Sequence, residues 1–182
     1  PPPPRAIPPL TARPLPLAQN LGNALKELGE LERAIGCYRQ AIALRPSHHH
    51  AFNNLGNALK EKGAHREALL CYQTAVAISP QFAAAHSNLS SLLKEVQPPD
   101  HLLSIAHSLE AIRIDPNFAE AYGNLGNALK ELGDIDGSIQ FYLKAIKLKP
   151  RFCDAYNNLA SAHMQLGQTK QAVETYQMAL IL

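Results

Sequence analysis

The segment Phe52–Gly63 reads FNNLGNALKEKG, and altered copies of it recur along the chain. One leucine holds the same place in every copy, at intervals of 34, 34, 36 and 34 residues. These leucines are Leu21, Leu55, Leu89, Leu125 and Leu159. A proline follows each of the first four copies, and these are Pro46, Pro80, Pro116 and Pro150. A fixed period of this length predicts a solenoid of stacked helical hairpins.

A period of 34 residues with a helix–turn–helix pattern resembles that of tetratricopeptide repeats. In each repeat we expect a first helix that carries the leucine and ends at a glycine such as Gly29 or Gly63. The second helix should stop before the proline. The sequence therefore predicts an all-α, right-handed solenoid. Its repeats are 15–48, 49–82, 83–118, 119–152 and 153–182, the last one truncated.

Small and aromatic residues recur at fixed positions and indicate how the helices pack. Small residues at the eighth position should let the paired helices approach closely, and they are Gly22, Gly56, Ser90, Gly126 and Ala160. Second-helix tyrosines should fill the core, and they are Tyr38, Tyr72, Tyr142 and Tyr176. The third repeat departs, because Pro98 and Pro99 replace the glycine turn and Ser108 replaces the tyrosine. We expect this repeat to be the least stable.

Composition excludes several classes of function. The 182 residues are 46% hydrophobic and 18% charged, which fits a folded chain. The net charge is only +2, so the electrostatic field of the chain is too weak to attract nucleic acid. Apolar runs are interrupted every few residues, so no membrane partner is expected. Three cysteines without zinc-ligand spacing favour reduced thiols in the cytoplasm or nucleus.

Residues 1–16 contain eight prolines, and residues 1–14 are predicted to be a proline-rich disordered segment. Its run of four prolines could dock an SH3 or WW domain, although a linker is the simpler interpretation. The chain does not begin with methionine, and its last repeat lacks a polar capping helix, so we expect a piece of a longer protein.

No motif supports catalysis, because the sequence holds no phosphate-binding glycine loop, nucleophile elbow or zinc-protease motif. The run His48–His50 is a weak metal candidate, since adjacent residues rarely converge on one ion. His163 replaces a leucine on an apolar face and is interpreted as a satisfied core or groove histidine. We therefore assign no catalytic residue, no metal and no cofactor to this chain.

Asparagines recur at the sixth position of all five repeats, and these are Asn20, Asn54, Asn88, Asn124 and Asn158. Asn57 and Asn127 belong to a second row at the ninth position. The first helices should line the concave face of the solenoid. Asparagine carries both an acceptor and a donor, so such a ladder can pair with a peptide main chain whatever its side chains are. The alternative is that these asparagines serve only the fold.

A second recurring pattern is a lysine followed by a glutamate near the end of the first helix. It occurs at Lys26, Lys60, Lys94 and Lys130. Opposite charges side by side give a nearly neutral strip, which we interpret as a solvated face.

Segments such as 82–89, 52–63 and 154–160 resemble the repeats of O-linked N-acetylglucosamine (O-GlcNAc) transferase. The resemblance implies protein substrates and adaptors as partners, bound through the asparagine ladder and acidic residues at the second position, here Glu120 and Asp154. It also implies a glycosyltransferase domain that uses UDP-GlcNAc, which this chain does not contain. Cytoplasmic and nuclear localisation is expected, and a homodimer through the array is a further expectation.

The alternative is a free-standing scaffold or co-chaperone adaptor. Co-chaperone repeats that grip acidic tails resemble one another in basic residues at groove positions two, five and six. Here the fifth position holds no lysine or arginine, and the sixth is asparagine throughout. A co-chaperone adaptor that grips acidic tails through such basic residues is therefore disfavoured.

Overall fold

The structure is a computed structural model, and it describes residues 15–182. The ten helices of this range are α1 (Leu15–Glu27), α2 (Leu31–Leu44), α3 (His49–Glu61), α4 (His65–Ile78), α5 (Ala83–Leu93), α6 (His101–Ile114), α7 (Ala119–Glu131), α8 (Ile135–Leu148), α9 (Cys153–Gln165) and α10 (Thr169–Leu180). No strand occurs among these residues, and the predicted all-α solenoid is confirmed. The proline-rich segment predicted for residues 1–14 lies outside the described residues.

The helices pack in chain order, as a solenoid requires. Each odd-numbered helix packs on the even-numbered helix that follows it, and each even-numbered helix packs on the first helix of the next repeat. Neighbouring odd-numbered helices also contact one another, so α1, α3, α5, α7 and α9 form one continuous layer. This layer carries the asparagine ladder.

Four of the five repeats turn at a glycine with positive φ. Gly63, for example, has φ +85°, a conformation that L side chains rarely adopt. The following amide, that of Ala64, then donates back to the Leu59 carbonyl oxygen at 2.8 Å. In the third repeat α5 ends early, at Leu93, and the Asp100 amide closes the longer turn by donating to the Leu93 carbonyl oxygen.

Tyrosine rings occupy the space that the eighth-position glycines leave open. A methyl group added at Gly56 would lie 2.5 Å from Cε1 of Tyr72. The Tyr72 hydroxyl donates to Asn57 Oδ1 at 2.8 Å, so the buried ring keeps a polar partner. Gly22 with Tyr38 and Gly126 with Tyr142 repeat this arrangement.

The third repeat fills the same space with three serines. The Ser90 hydroxyl lies 2.9 Å from that of Ser104 and 2.6 Å from that of Ser108, and all three residues are fully buried. The expectation that this repeat is the least stable considered the replacement of tyrosine by Ser108. It did not consider the coupled change at position 90, where the serine side chain takes up part of the tyrosine's space. The lower stability of the repeat stays a prediction.

The fifth repeat corrects the prediction that all four tyrosines are core. Tyr176 is 40% exposed, whereas Tyr38, Tyr72 and Tyr142 are at most 1% exposed. Ala160 stands at the eighth position and is fully buried. In the first, second and fourth repeats an added Cβ at this position would lie 2.5–2.6 Å from the tyrosine ring. The methyl group of Ala160 is therefore incompatible with a ring at that place, and the ring of Tyr176 lies outside.

Candidate functional site

A cavity of about 570 Å³ opens on the odd-helix layer between the third and fifth repeats. It is lined by Ser87, Asn88, Ser91, Lys94, Glu95, Glu120, Gly123, Asn124, Asn127, Phe152, Asp154, Ala155, Asn157 and Asn158. Smaller cavities of about 190 and 250 Å³ follow the same layer toward the first repeat. Together they form a polar groove.

The structure brings six of the nine predicted binding residues into the large cavity: Asn88, Asn124, Asn158, Asn127, Glu120 and Asp154. Asn54 and Asn57 line the smaller cavities nearer the first repeat. Asn20 is exposed on α1 and lines none of these cavities. The ladder therefore divides into a C-terminal part around one large cavity and an N-terminal part outside it.

The amide groups of the central ladder residues connect adjacent repeats. Asn54 Nδ2 donates to Asn23 Oδ1 at 3.1 Å. Asn124 Nδ2 donates to the Ser87 carbonyl oxygen at 3.0 Å and to its hydroxyl at 3.1 Å. Asn88 behaves likewise toward Asn53 and Asn57. These residues thus serve the fold, while the Oδ1 atoms of Asn54 and Asn88 have no partner within residues 15–182 and can accept an N–H from a ligand.

The fifth repeat holds a ladder residue that the fold does not use. Neither Oδ1 nor Nδ2 of Asn158 has a hydrogen-bond partner in the described part of the chain, and both atoms belong to a half-buried residue on the cavity wall. Asn127 Oδ1 accepts from the Tyr142 hydroxyl at 2.7 Å, which leaves the Asn127 amide as a donor. Donors for a ligand therefore gather at this end.

The lysine–glutamate strip is an inter-repeat feature, which revises its interpretation as a solvated face. Lys26 lies 3.4 Å from Glu61 of the next repeat, and Lys60 lies 2.7 Å from Glu95. Both lysines remain about one-third exposed, so each pair contributes little stability, typically about 0–1 kcal/mol.

Lys94 departs from this pattern. Its Nζ atom approaches only Asn124 Oδ1, at 3.4 Å, and forms no ion pair within the described residues. Partial burial in the cavity lowers the pKa of the Lys94 ammonium group to about 8, because water no longer fully solvates the charge. The side chain is still largely protonated at pH 7.

The acidic residues of the cavity differ in their pairing. Glu120 Oε1 accepts from Lys149 Nζ at 2.5 Å, and Glu95 is held by Lys60. Asp154 is exposed and has no ion-pair partner in the range that the structure covers. The cavity therefore presents one cation, Lys94, and one carboxylate, Asp154, that are both available to a ligand.

Two of the histidines that the sequence singled out, His48 and His163, are hydrogen-bonded within the fold. His48 Nε2 lies 2.5 Å from Gln19 Oε1, and His163 Nδ1 lies 2.6 Å from Gln168 Oε1. In residues 15–182 no three His, Cys, Asp or Glu side chains are grouped so that they could hold a metal ion. None of the helices described is both long enough and apolar enough to cross a membrane.

Family models for tetratricopeptide repeats match most of the chain, over residues 22–63, 56–95, 107–140, 126–167 and 155–182. The chain belongs to the tetratricopeptide-repeat family. It is a protein–protein interaction module of that family, and its helix pairs are the family's repeats. No curated protein matches the chain. Kinship to O-GlcNAc transferase thus has no support beyond the sequence resemblance.

Several solved structures share the fold. TTC0263, a thermophilic tetratricopeptide-repeat protein of Thermus thermophilus, superposes with a TM-score of 0.79 at 20% identity, over 92% of this chain and 90% of that one. MamA of Desulfovibrio magneticus RS-1 gives 0.75 at 18% identity, over 92% and 94%. YrrB, described as a tetratricopeptide-repeat protein with an unusual peptide-binding site, gives 0.66 at 23% identity, over 90% and 83%.

Sequence reasoning missed Lys94 as a residue of the site. The signal was present in Pro98 and Pro99, which lengthen the turn of the third repeat. Because α5 ends two positions earlier in its repeat than α3 does, Lys94 lies in the turn, whereas Lys60 lies in a helix. Position in the repeat predicts a lysine's neighbours only where the helix has its regular length.

Proposed function

We propose that the chain is a scaffold that binds an extended peptide segment of a partner protein in the cavity of the third to fifth repeats. The observation that carries the proposal is the gathering of Asn88, Asn124 and Asn158, from three consecutive repeats, around one cavity of about 570 Å³. Within residues 15–182, Asn88 keeps a free acceptor and Asn158 keeps both an acceptor and a donor, and these groups complement those of a peptide unit.

The dimensions suit an extended chain. Packed helices lie about 8–10 Å apart, so three consecutive first helices spaced at this order cover about 20 Å. An extended peptide advances about 3.3 Å per residue, so six or seven residues fill this length. The cavity is polar and open, as expected for a site that takes a main chain. YrrB, which shares the fold, is described as having an unusual peptide-binding site.

A finer proposal is that the array is the substrate-recognition arm of a protein O-GlcNAc transferase in the cytoplasm and nucleus. It is supported by the sequence resemblance in the ladder and in Glu120 and Asp154. A scaffold needs no second domain, and the family membership supports it directly. The coding sequence beyond Leu182 distinguishes the two, because only the transferase requires a following domain that binds UDP-GlcNAc.

The test compares ladder variants by titration with synthetic peptides. The probe is a set of ten-residue peptides of alanine, serine and glutamine, capped at both ends. Their binding is monitored through the nuclear magnetic resonance signals of the asparagine side-chain amides. Asn158→Ala removes a side chain that makes no hydrogen bond within residues 15–182, so it should weaken binding without loss of stability. A lost hydrogen bond of about 0.5–1.5 kcal/mol corresponds to roughly a two- to tenfold higher Kd.

Asn20→Ala is the matched control, since Asn20 holds the same repeat position but is exposed and lines none of the cavities of the groove. It should leave both binding and stability unchanged. Peptide-induced shifts that spread over all five repeats, or equal losses of affinity in the two variants, would reject this cavity as the binding site.

A further inference from the structure

The third repeat holds two histidines in direct contact across its helix pair. His86 on α5 and His107 on α6 have their Nδ1 atoms 3.0 Å apart, and their ring centroids are separated by 5.2 Å. His86 is only 5% exposed, whereas His107 is half-buried. The contact therefore joins the two helices of one repeat through groups that titrate near neutral pH.

A backbone carbonyl group fixes the hydrogen positions of the pair. His86 Nε2 lies 3.1 Å from the Pro80 carbonyl oxygen, which can only accept, so this nitrogen carries a hydrogen. In the neutral ring Nδ1 of His86 is then the acceptor, and His107 Nδ1 is the donor. Both nitrogen atoms of His86 are therefore used when the two rings are neutral.

Acid limits this arrangement, because the pair has room for one extra proton but not for two. With one extra proton the N–H···N bond survives, whichever ring carries the charge. Two extra protons would place an N–H on each of the facing Nδ1 atoms, which breaks the bond and leaves a charge on the buried ring of His86. In the unfolded chain both rings take up a proton without this penalty, so the folded pair binds fewer protons in acid.

The fourth repeat makes the same contact without imidazole groups. Tyr122 and Phe141 hold the places of His86 and His107, and their rings stack with centroids 6.4 Å apart. The Tyr122 hydroxyl donates to the Pro116 carbonyl oxygen at 3.1 Å, as His86 Nε2 does to the corresponding carbonyl oxygen of its own repeat. Ordinary aromatic rings thus satisfy the packing at these positions, and the histidines add a response to pH.

We propose that His86 and His107 form an acid-sensitive switch that loosens the third repeat and, with it, the groove. Helix α5 also carries Ser87 and Asn88, which line the large cavity and bond to the neighbouring repeats. When α5 separates from α6, these groups shift with it. The inference goes beyond the proposed function, because the response of the repeat to pH can be measured without a peptide.

The charged groups that act on the pair belong to α6. Burial lowers the pKa of His107, His86 acts in the same direction, and Glu110 opposes both. Glu110 is itself engaged by Arg113, three residues further along the helix. Within residues 15–182, helices α3, α4 and α7 contribute no titratable group to the pKa of His107. Because the fold favours the neutral ring, its contribution to stability is complete above about pH 6.5 and is lost as the pH falls from there through the lowered pKa.

Hydrogen exchange of the wild-type chain at pH 7, 6 and 5, corrected for the intrinsic exchange rate, measures the opening of each repeat. One proton taken up on opening raises the opening equilibrium constant about tenfold per pH unit. We expect this increase in α5 and α6 between pH 6 and pH 5. The pKa values of His48 and His49 are also lowered, but these residues lie at the junction of the first two repeats, so segment-resolved data separate the two effects.

The double variant His86→Tyr/His107→Phe is the matched control, because it copies the pair of the fourth repeat. It keeps an aromatic ring at both places and a donor for the Pro80 carbonyl oxygen, and it removes the imidazole groups. The protection of α5 and α6 should then be the same at pH 5 as at pH 7. A double variant that opens in acid as the wild type does, or a wild-type response spread evenly over the five repeats, would overturn the switch.

Nitrogen-15 nuclear magnetic resonance of the wild-type histidine rings tests the bond itself and needs no variant. At pH 7.5 the hydrogens should lie on Nε2 of His86 and on Nδ1 of His107. A bare Nδ1 on His107 would overturn the proposed bond, even if the double variant fails to fold.

Peptide titrations at pH 7 and pH 5 test the link to the groove. The wild-type chain should lose affinity at pH 5, and the double variant should keep it. Equal affinity of the wild type at both pH values would overturn this link. Absence of peptide binding at either pH would overturn the proposed function, whereas the exchange data would still decide on the switch.

Discussion

Replacing Gly56 by serine while Tyr72 stays in place should disrupt the core of the second repeat. The added Cβ would lie 2.5 Å from the ring, which must move and thereby lose the bond from its hydroxyl to Asn57. Overpacking typically costs about 1–3 kcal/mol and the lost hydrogen bond about 1 kcal/mol, against a gain of about 0.5 kcal/mol for removing a helical glycine. We expect a net loss of roughly 1.5–3.5 kcal/mol.

The third repeat supplies the second half of the experiment, since it holds serine at both places, Ser90 and Ser108. Tyr72→Ser alone should cost about 3–5 kcal/mol, as for other large aromatic truncations. In the double variant the clash is gone, and the two hydroxyls can pair as they do in the third repeat. The combined loss should therefore be about 1–3 kcal/mol smaller than the sum of the single losses.

Urea unfolding followed by circular dichroism at 222 nm measures these differences. Gly36→Ser is the matched control, because Gly36 lies within helix α2 and nothing is within 4 Å of an added Cβ. It should be neutral or slightly stabilising. If Gly56→Ser behaves like Gly36→Ser, or if the double variant is strictly additive, the proposed coupling between the glycine and the tyrosine is wrong.

Two further predictions concern stability. The pKa of Lys94 is about 8 in the folded chain, against 10.5 for a free side chain. Between these two pH values the unfolded chain binds more protons than the folded chain, so the free energy of unfolding should rise with pH. Urea titrations at pH 7, 8, 9 and 10 should show this rise for the wild-type chain and its loss in Lys94→Met. Asp100 caps α6 by accepting from the Leu103 amide at 2.9 Å, whereas Ala64 at the start of α4 provides no side-chain cap. In thermal unfolding, Asp100→Ala should therefore lower the stability by about 1 kcal/mol and Ala64→Asp should raise it by about 1 kcal/mol. Unchanged stability in both variants would refute the role of the caps.

The fold was predictable because it depends on residues whose roles are local. Gly63 adopts a positive φ that favours glycine, and proline ends a helix. Both kinds of helix end can therefore be recognised directly in the sequence. The burial of Tyr72 was also predicted from its period. The exposure of Tyr176 was not, because its place depends on Ala160, sixteen residues away, and the steric conflict between the two is visible only once the helices are paired.

The candidate site was predictable in its position but less so in its bonding. The period places Asn88, Asn124 and Asn158 on one face. It does not show that Asn124 donates to Ser87 while Asn158 has no partner in residues 15–182, since those bonds depend on how closely neighbouring repeats approach. Lys94 escaped notice for a related reason, because its surroundings are set by the length of a turn and not by its own place in the period.

The cross-repeat bonds of the groove are unevenly distributed, and this gives the array a graded elasticity. The first two junctions carry ion pairs at Lys26 and Lys60 together with the amide bonds of Asn54 and Asn88. At the last junction the ladder contributes only the 3.5 Å contact from Lys130 to Ser161 within the described residues. Under tension or twist the superhelix should therefore yield at its C-terminal end first, where a change of pitch widens or narrows the groove that a partner would enter.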